Sequence, residues 1–241
     1  VKNSTGAEKF EQLFPARFFQ SFIAEQNMIG MATGMATSGK IACAVTFSAF
    51  FSRAYDQLRM AAIGKVPLRI IGTHAGVSIG QDGASQMGLE DIALIRTLPN
   101  SCVLYPADAI SCKKLTARML TYDQGISYLR TTRNETEVIY SEEDQFFIGG
   151  FNMLRASDND QLCIITAGIT LFEALAAYHY FSKKEIPIAI IDLYCVKPIN
   201  EARLATIIQK HGNRAITVED HYLEGGLGQA VAAACSNYAI P

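Results

Sequence analysis

The stretch LRIIGTHAGVSIGQDG, residues 68–83, contains the pattern on which the fold assignment depends. Its first six residues form a short apolar run rich in isoleucine, which is typical of a buried β-strand. The next ten residues, 74–83, contain three glycines together with His74 and Asp82, and we call them the glycine-rich loop. Ligands of open α/β sheets collect beyond the carboxyl ends of the strands, so this loop is a candidate binding segment.

Short apolar strands alternate with longer helical patterns on both sides of this stretch. The first half of the chain has predicted strands at residues 41–47, 68–73, 101–105 and 126–131, and predicted helices at 50–63 and 107–121. The second half has predicted strands at 162–167, 188–193 and 215–218, and predicted helices at 171–183, 201–211 and 228–238. Fully apolar strands that alternate with helices indicate parallel sheets covered on both faces. The predicted fold class is therefore α/β, with two doubly wound, mainly parallel-sheet domains.

An acid-rich segment, residues 133–145, separates the two series and lacks an apolar period. We interpret it as a linker that leads into a strand at Phe146 and Phe147, which gives predicted domains at 1–140 and 145–241. The chain opens in a polar turn and stops at Pro241, just after a predicted helix. We therefore expect a fragment in which the first domain lacks its first strand and the second domain is truncated.

Composition excludes several classes of protein. The chain has 241 residues, 49% of them hydrophobic, and a net charge of −2 without a cluster of Lys and Arg, which argues against nucleic acid as a partner. Its apolar runs are shorter than a membrane span needs, so no membrane partner is expected. Its six cysteines form no CxxC pair, and most lie within apolar patterns, which favours a reduced, cytoplasmic setting.

Glu25 lies in the run FIAEQNM, residues 22–28. Most carboxylates in such a place are exposed helix residues. The alternative is a desolvated carboxyl group that hydrogen-bonds a heterocyclic nitrogen and exchanges a proton with it. The residue alone does not decide between these interpretations.

The surrounding motifs do favour one of them, because the run resembles the IAEQNM signature of transketolases. Six further stretches resemble the same family in the same order, and the animal-type and transketolase-like members are the most similar. The seven stretches are residues 2–5, 22–28, 46–57, 72–83, 129–133, 196–198 and 217–226.

The resemblance implies a thiamine diphosphate enzyme whose pyrimidine-binding domain is residues 1–140, followed by a transketolase C-terminal domain. It implies that Glu25 bonds the aminopyrimidine, as a catalytic residue. Phe47 and Phe50, three residues apart, are implied to wall the ring, and Gln86 to lie beside the cofactor. An aromatic pair at this spacing is also common in ordinary cores.

The resemblance also implies sugar phosphate substrates. It gives Ser4 and Arg133 contact with the phosphate, His74 a catalytic and substrate-binding role, and Asp82 contact with a substrate hydroxyl. Gln81 stands where many relatives have an acid, and Ala84 replaces a common proline. These two differences put loop rigidity and substrate preference in question.

The family holds the diphosphate and its Mg²⁺ or Ca²⁺ with a Gly-Asp-Gly sequence, which this chain does not contain. The expected function is reversible transfer of a two-carbon ketol group in the pentose phosphate pathway, by a homodimer that includes a separate diphosphate-binding domain. One alternative is another thiamine diphosphate enzyme, of the 2-oxo acid dehydrogenase β subunit or deoxyxylulose phosphate synthase type. Another is a catalytically impaired interaction or regulatory module.

Overall fold

Two mixed, mainly parallel sheets flanked by helices make up the computed structural model, which describes residues 2–238 and 240. The strands are β1 (Cys43–Phe47), β2 (Arg69–Thr73), β3 (Cys102–Leu104), β4 (Ser127–Arg130), β5 (Asn152–Arg155), β6 (Cys163–Thr166), β7 (Ala189–Asp192), β8 (Cys195–Lys197) and β9 (Ala215–Val218). The helices are α1 (Glu8–Leu13), α2 (Glu25–Thr37), α3 (Tyr55–Ile63), α4 (Asp91–Arg96), α5 (Ala109–Thr121), α6 (Thr170–Ser182), α7 (Glu201–Lys210) and α8 (Leu227–Cys235). This confirms the predicted α/β class with two mainly parallel sheets.

The first sheet has the strand order β1-β2-β4-β3-β8, and its first four strands are parallel. Its fifth strand, β8, comes from the second half of the chain and runs antiparallel to β3. The second sheet has the order β5-β7-β6-β9, with β5 antiparallel to β7. The two halves are therefore joined by strand pairing as well as by side-chain packing.

The core between the sheets and helices is continuous across the two halves. One cluster of buried apolar side chains includes Val103 and Ile126 from the first half and Ile191, Leu204 and Leu227 from the second. The mostly apolar character of β3, β6 and β7, whose residues are all buried, explains why these strands were predictable, whereas the equally buried β4 contains Ser127 and Arg130.

The predicted strand at Phe146 and Phe147 is wrong. The two residues lie in irregular chain, and the next strand, β5, begins at Asn152. Phe146 is buried between the rings of Tyr140 and Tyr194, with centroid distances of 4.9 and 4.8 Å, whereas Phe147 is exposed. The aromatic pair therefore anchors the linker by ring packing and not by strand hydrogen bonds.

Helix positions differ from the predictions mainly around the cleft described below. The predicted helix at 50–63 is a 3-10 helix over Ser48–Ala54 followed by α3. The prediction assigned no helix to the segments that form α1, α2 and α4. Within the described residues, no helix is both long and apolar enough to cross a bilayer.

Asp192, at the end of β7, is a buried acid at the boundary with the linker. Tyr140 donates a hydrogen bond to its Oδ2 at 2.6 Å, while Oδ1 has no partner among the described residues. Burial raises the pKa of Asp192 to about 7, against a lowering effect of the Tyr140 hydrogen bond. The folded protein thus holds a proton on Asp192 that the unfolded chain releases near pH 4.

We expect the Asp192→Asn substitution to change how stability depends on pH. As pH rises from about 4 to about 7, the wild-type protein should lose free energy of unfolding relative to the variant, because only the unfolded wild type has released the proton. Urea denaturation at several pH values measures this difference. The exposed Asp158→Asn change is the control, and a pH-independent difference for Asp192→Asn would contradict the assignment.

Candidate functional site

Glu25 is the first residue of α2 and is 6% exposed. Its Oε2 is buried and has no hydrogen-bond partner among the described residues. An unpartnered buried carboxylate oxygen is costly unless it gains a hydrogen-bond donor. The interpretation of Glu25 as an exposed helix residue is therefore excluded.

A cleft of about 630 Å³ opens at Glu25, a volume within the range of small-molecule sites. Two of its lining residues, Glu25 and Phe50, are site residues predicted from the sequence. The other polar or aromatic lining residues had no predicted role. Those additional residues are Ser52, Arg53, Ser85, Glu90 and Tyr222.

Three aromatic rings form a stack next to this cleft. Phe47 lies between Phe50, with centroids 5.3 Å apart, and His74, with centroids 3.9 Å apart, and the rings are within 17° of parallel. Phe47 ends β1 and pairs in register with Thr73 at the end of β2, so parallel pairing brings His74 beside Phe47. Phe50 lines the cleft, and Phe47 is buried behind it.

His74 is held in an unusual backbone conformation, with φ at 57°. It is 7% exposed, and its Nδ1 lies 3.0 Å from Thr73 Oγ1. Burial lowers the pKa of His74, the positive charge of Arg133 lowers it further, and Asp82 opposes both. The imidazole is therefore neutral near pH 7 and can accept or donate a hydrogen bond.

Asp82 and Arg133 form a partly exposed ion pair. Arg133 Nη1 lies 3.1 Å from Asp82 Oδ2 and also donates to the carbonyl of Ile79 at 3.2 Å. Each side chain is more than a third exposed, so the pair contributes little to stability and remains open to a ligand. The structure thus brings together His74, Asp82 and Arg133, three of the four predicted substrate residues.

Ser4 and Gln86 have a weaker connection to this cluster. Ser4 lies in the exposed turn before α1 and makes no described contact with His74, Asp82 or Arg133. Gln86 is half-buried at the end of the 3-10 helix Ala84–Gln86; its neighbours Ser85 and Met87 line the cleft, and Gln86 does not.

The second glycine-rich turn, residues 224–228, is filled by the protein itself. Glu219 accepts hydrogen bonds from the backbone N–H groups of Leu227, at 2.6 Å, and Gly228, at 3.1 Å. These groups open α8, where a carboxylate is favoured by the helix dipole. The backbone donors are therefore already satisfied, and we assign no anion site there.

Metal ligands are not clustered in the described part of the chain. No group of three or more His, Cys, Asp or Glu side chains within residues 2–238 and 240 has an arrangement that could hold a metal ion.

Comparison with known proteins connects both halves of the chain to one family. The family model of the transketolase pyrimidine binding domain matches residues 1–138, and that of the transketolase C-terminal domain matches residues 152–240. Transketolase-like protein 1 of Bos taurus is 47% identical over 98% of this chain and 40% of its own length. Human transketolase is 43% identical over 97% of this chain and 38% of its own length. The chain thus spans about 40% of the length of the curated relatives it matches.

Solved structures agree with these matches. An inactive β4 tetramer of a split-gene transketolase superposes with a TM-score of 0.87 at 34% identity, over 96% of this chain and 74% of its own. Transketolase of Campylobacter jejuni superposes with a TM-score of 0.73 at 20% identity, over 83% of this chain and 32% of its own, which bears on the fold alone.

We expect Arg133→Ala to raise the pKa of His74. The change removes a cation that lowers this pKa and frees Asp82, whose charge raises it. NMR titration of the histidine ring resonances measures the shift without any assay of activity. Arg133→Lys, which keeps the positive charge, is the control. An unchanged pKa of His74 in Arg133→Ala would show that the charge of Arg133 does not act on His74.

Proposed function

The chain belongs to the transketolase family, and on that premise we propose that it forms the pyrimidine-binding part of an enzyme that transfers a two-carbon ketol group between sugar phosphates. The observation that carries the proposal is Glu25 Oε2, a buried and unpartnered carboxylate oxygen at an open cleft. An aminopyrimidine suits such an oxygen beside an aromatic ring, because it offers both a flat apolar face and hydrogen-bonding nitrogens.

The residues at this cleft fit the aminopyrimidine ring of thiamine diphosphate. Glu25 would hold a hydrogen bond, and exchange a proton, at the N1′ atom of the ring. Phe50 would pack on the ring, supported from behind by Phe47 and His74. The cofactor supplies the carbanion chemistry by which a carbon–carbon bond next to a carbonyl is broken and formed.

The diphosphate and its Mg²⁺ or Ca²⁺ belong, in this proposal, to a diphosphate-binding domain. The family separates the two ends of the cofactor in this way. That division fits a chain in which two acids, Glu25 and Glu90, line the cleft beside a single cation, Arg53. The carboxylates would repel a diphosphate that lacked its metal.

Sugar phosphates are the proposed substrates. Arg133 offers a half-exposed guanidinium group for the phosphate, and Asp82 offers an acceptor for a substrate hydroxyl. His74 would bond the substrate in its neutral form, because burial and Arg133 lower its pKa. Ser4 remains a proposed phosphate contact on the resemblance alone.

The apolar surface before α2 is the proposed contact with the diphosphate-binding domain and with a second copy of the chain. Leu13, Phe19, Phe22 and Ile23 are each more than half exposed, at 72, 58, 78 and 82%. Exposed apolar side chains of this size in one segment are typical of an interaction surface. Ile23 also lines the cleft, so a partner seated there would close the site.

A catalytically impaired module is the second candidate. One structural relative is described as an inactive tetramer, so this fold exists without turnover in that relative. The Glu25 cleft and the clustered His74, Asp82 and Arg133 side chains favour the enzyme.

We further propose a cytoplasmic location, supported by the six free thiols, and a role in the pentose phosphate pathway, supported by the family.

We expect Glu25→Ala to slow deprotonation of bound cofactor at C2 by a factor of about 10²–10⁴, the usual contribution of a positioned proton-transfer group. The measurement is hydrogen–deuterium exchange at C2 in the holoenzyme, with the diphosphate-binding domain present. Glu90→Gln, which changes an acid in the same cleft, is the matched control. Unchanged exchange in Glu25→Ala would remove the role assigned to this residue.

We expect Arg133→Ala to discriminate between donor substrates. Loss of a charge-assisted hydrogen bond should weaken phosphorylated ketoses by about 1.5–3 kcal/mol and leave the unphosphorylated donor hydroxypyruvate nearly unaffected. Steady-state kcat/KM for both donors gives the comparison, with Arg133→Lys as the variant that keeps the charge. Equal losses for the two donors would show that Arg133 supports the fold.

A further inference from the structure

Residues 219–222 of the second half form what we call the bridging segment, and the last three of them contact the first half. Glu219 is fixed at the start of α8, as described above. His221 Nε2 accepts from the backbone N–H of Ala93 at 3.3 Å. Tyr222 donates its backbone N–H to the carbonyl of Leu89 at 2.8 Å and lines the cleft that Glu25 opens.

Asp220 makes the contact that reaches the glycine-rich loop. Its Oδ1 accepts a hydrogen bond from the backbone N–H of Val77 at 2.9 Å, and the residue is 7% exposed. Val77 is the first residue of the 3-10 segment Val77–Asp82, which is kinked at Gly80 and ends at the proposed substrate residue Asp82. The residue before it, Gly76, has no side chain that could cap the helix.

Asp220 therefore does for this helix what an N-cap residue usually does from within the chain. Asp220 can take this capping role only because residue 76 is glycine. A Cβ atom at Gly76 would lie 1.6 Å from Asp220 Oδ2, and the φ of Gly76 is 78°. Gly76 thus leaves room for the Asp220 carboxylate, which supplies the cap that a glycine cannot provide.

Asp220 is itself held in place from the first half. The guanidinium group of Arg130 donates to the carbonyl oxygen of Asp220 at 2.7 Å and to that of Gly88 at 2.9 Å. Arg130 is fully buried, so this anchor is shielded from water. The carboxylate that accepts the hydrogen bond from Val77 thus belongs to a residue whose backbone is fixed.

We infer that Asp220, through its hydrogen bond to Val77, is a positioning residue that orders the glycine-rich loop and so holds His74 and Asp82 in register. The unusual φ of His74, 57°, is sustained only if the surrounding contacts hold the backbone. The catalytic consequence rests on the proposed function; the ordering of the loop does not.

The first test is amide hydrogen exchange, measured by mass spectrometry on the purified protein. Asp220→Ala should speed exchange in peptides covering residues 75–83 about tenfold, because a hydrogen bond to a charged group is lost. Asp220→Asn keeps an oxygen acceptor for Val77 and should stay close to wild type. Exchange in α7 should be the same in all three proteins.

Two results would overturn the inference at this stage. One is wild-type exchange of residues 75–83 in Asp220→Ala. The other is faster exchange in α7 as well as in the loop, which would make Asp220 a general structural residue. Neither result depends on whether the protein transfers ketol groups, so a failure here is distinct from a failure of the proposed function.

The second test uses the active holoenzyme. Asp220→Ala should raise KM for a phosphorylated ketose severalfold, with a smaller change in C2 exchange of the bound cofactor, since Glu25 is not displaced. Asp220→Asn should restore KM. A loosened loop with unchanged kcat and KM would contradict the positioning role, whereas an inactive wild-type holoenzyme would contradict the proposed function alone.

Discussion

Arg130 is fully buried, and its charge constrains much of the surrounding structure. Its Nε lies 2.8 Å from Asp91 Oδ2, and Tyr128 donates a hydrogen bond to the same oxygen. Its Cζ lies 4.4 Å from the centroid of the Tyr105 ring. Burial alone would lower the pKa of Arg130, but Asp91 and the two tyrosines raise it, so the group stays charged. A charge without solvent must be paired, which ties β4 to α4.

The same guanidinium group donates to backbone carbonyls in both halves of the chain, at Gly88 and Asp220. Two features of the proposed site lie close to these carbonyls: Tyr222 lines the cleft, and Val77, hydrogen-bonded to the side chain of Asp220, begins the segment that ends at Asp82. Replacing a buried pair by apolar residues often preserves stability in other proteins. Here such a replacement would also remove the hydrogen bond to the carbonyl of Asp220, which connects the two halves, and the one to Gly88 within the first half.

Local sequence predicted the elements whose residues are all buried and failed where distant contacts decide. The strand at 162–167 was predictable because β6 is mostly apolar and fully buried, but the pairing of β8 with β3 joins residues far apart in the chain. Phe146 and Phe147 suggested a strand because aromatic residues favour strands, whereas the buried rings of Tyr140 and Tyr194 determine their conformation. Burial of Glu25 likewise depends on chain outside its own helix. The parallel pairing of β2 with β4 brings His74 and Arg133 to the same edge of the sheet, where Arg133 pairs with Asp82, whereas Ser4 makes no described contact with these residues.

Because β8 comes late in the chain, the first sheet stays incomplete during much of synthesis on the ribosome. All strands of the first sheet except β8 have been synthesised when the chain reaches Arg130, and β8 follows only after the linker and most of the second sheet. Until then the outer edge of β3 has unpaired backbone groups, and such edges invite pairing with other chains. The edge of β3 in the first sheet is therefore open to pairing with other chains until β8 has been synthesised and has paired with it.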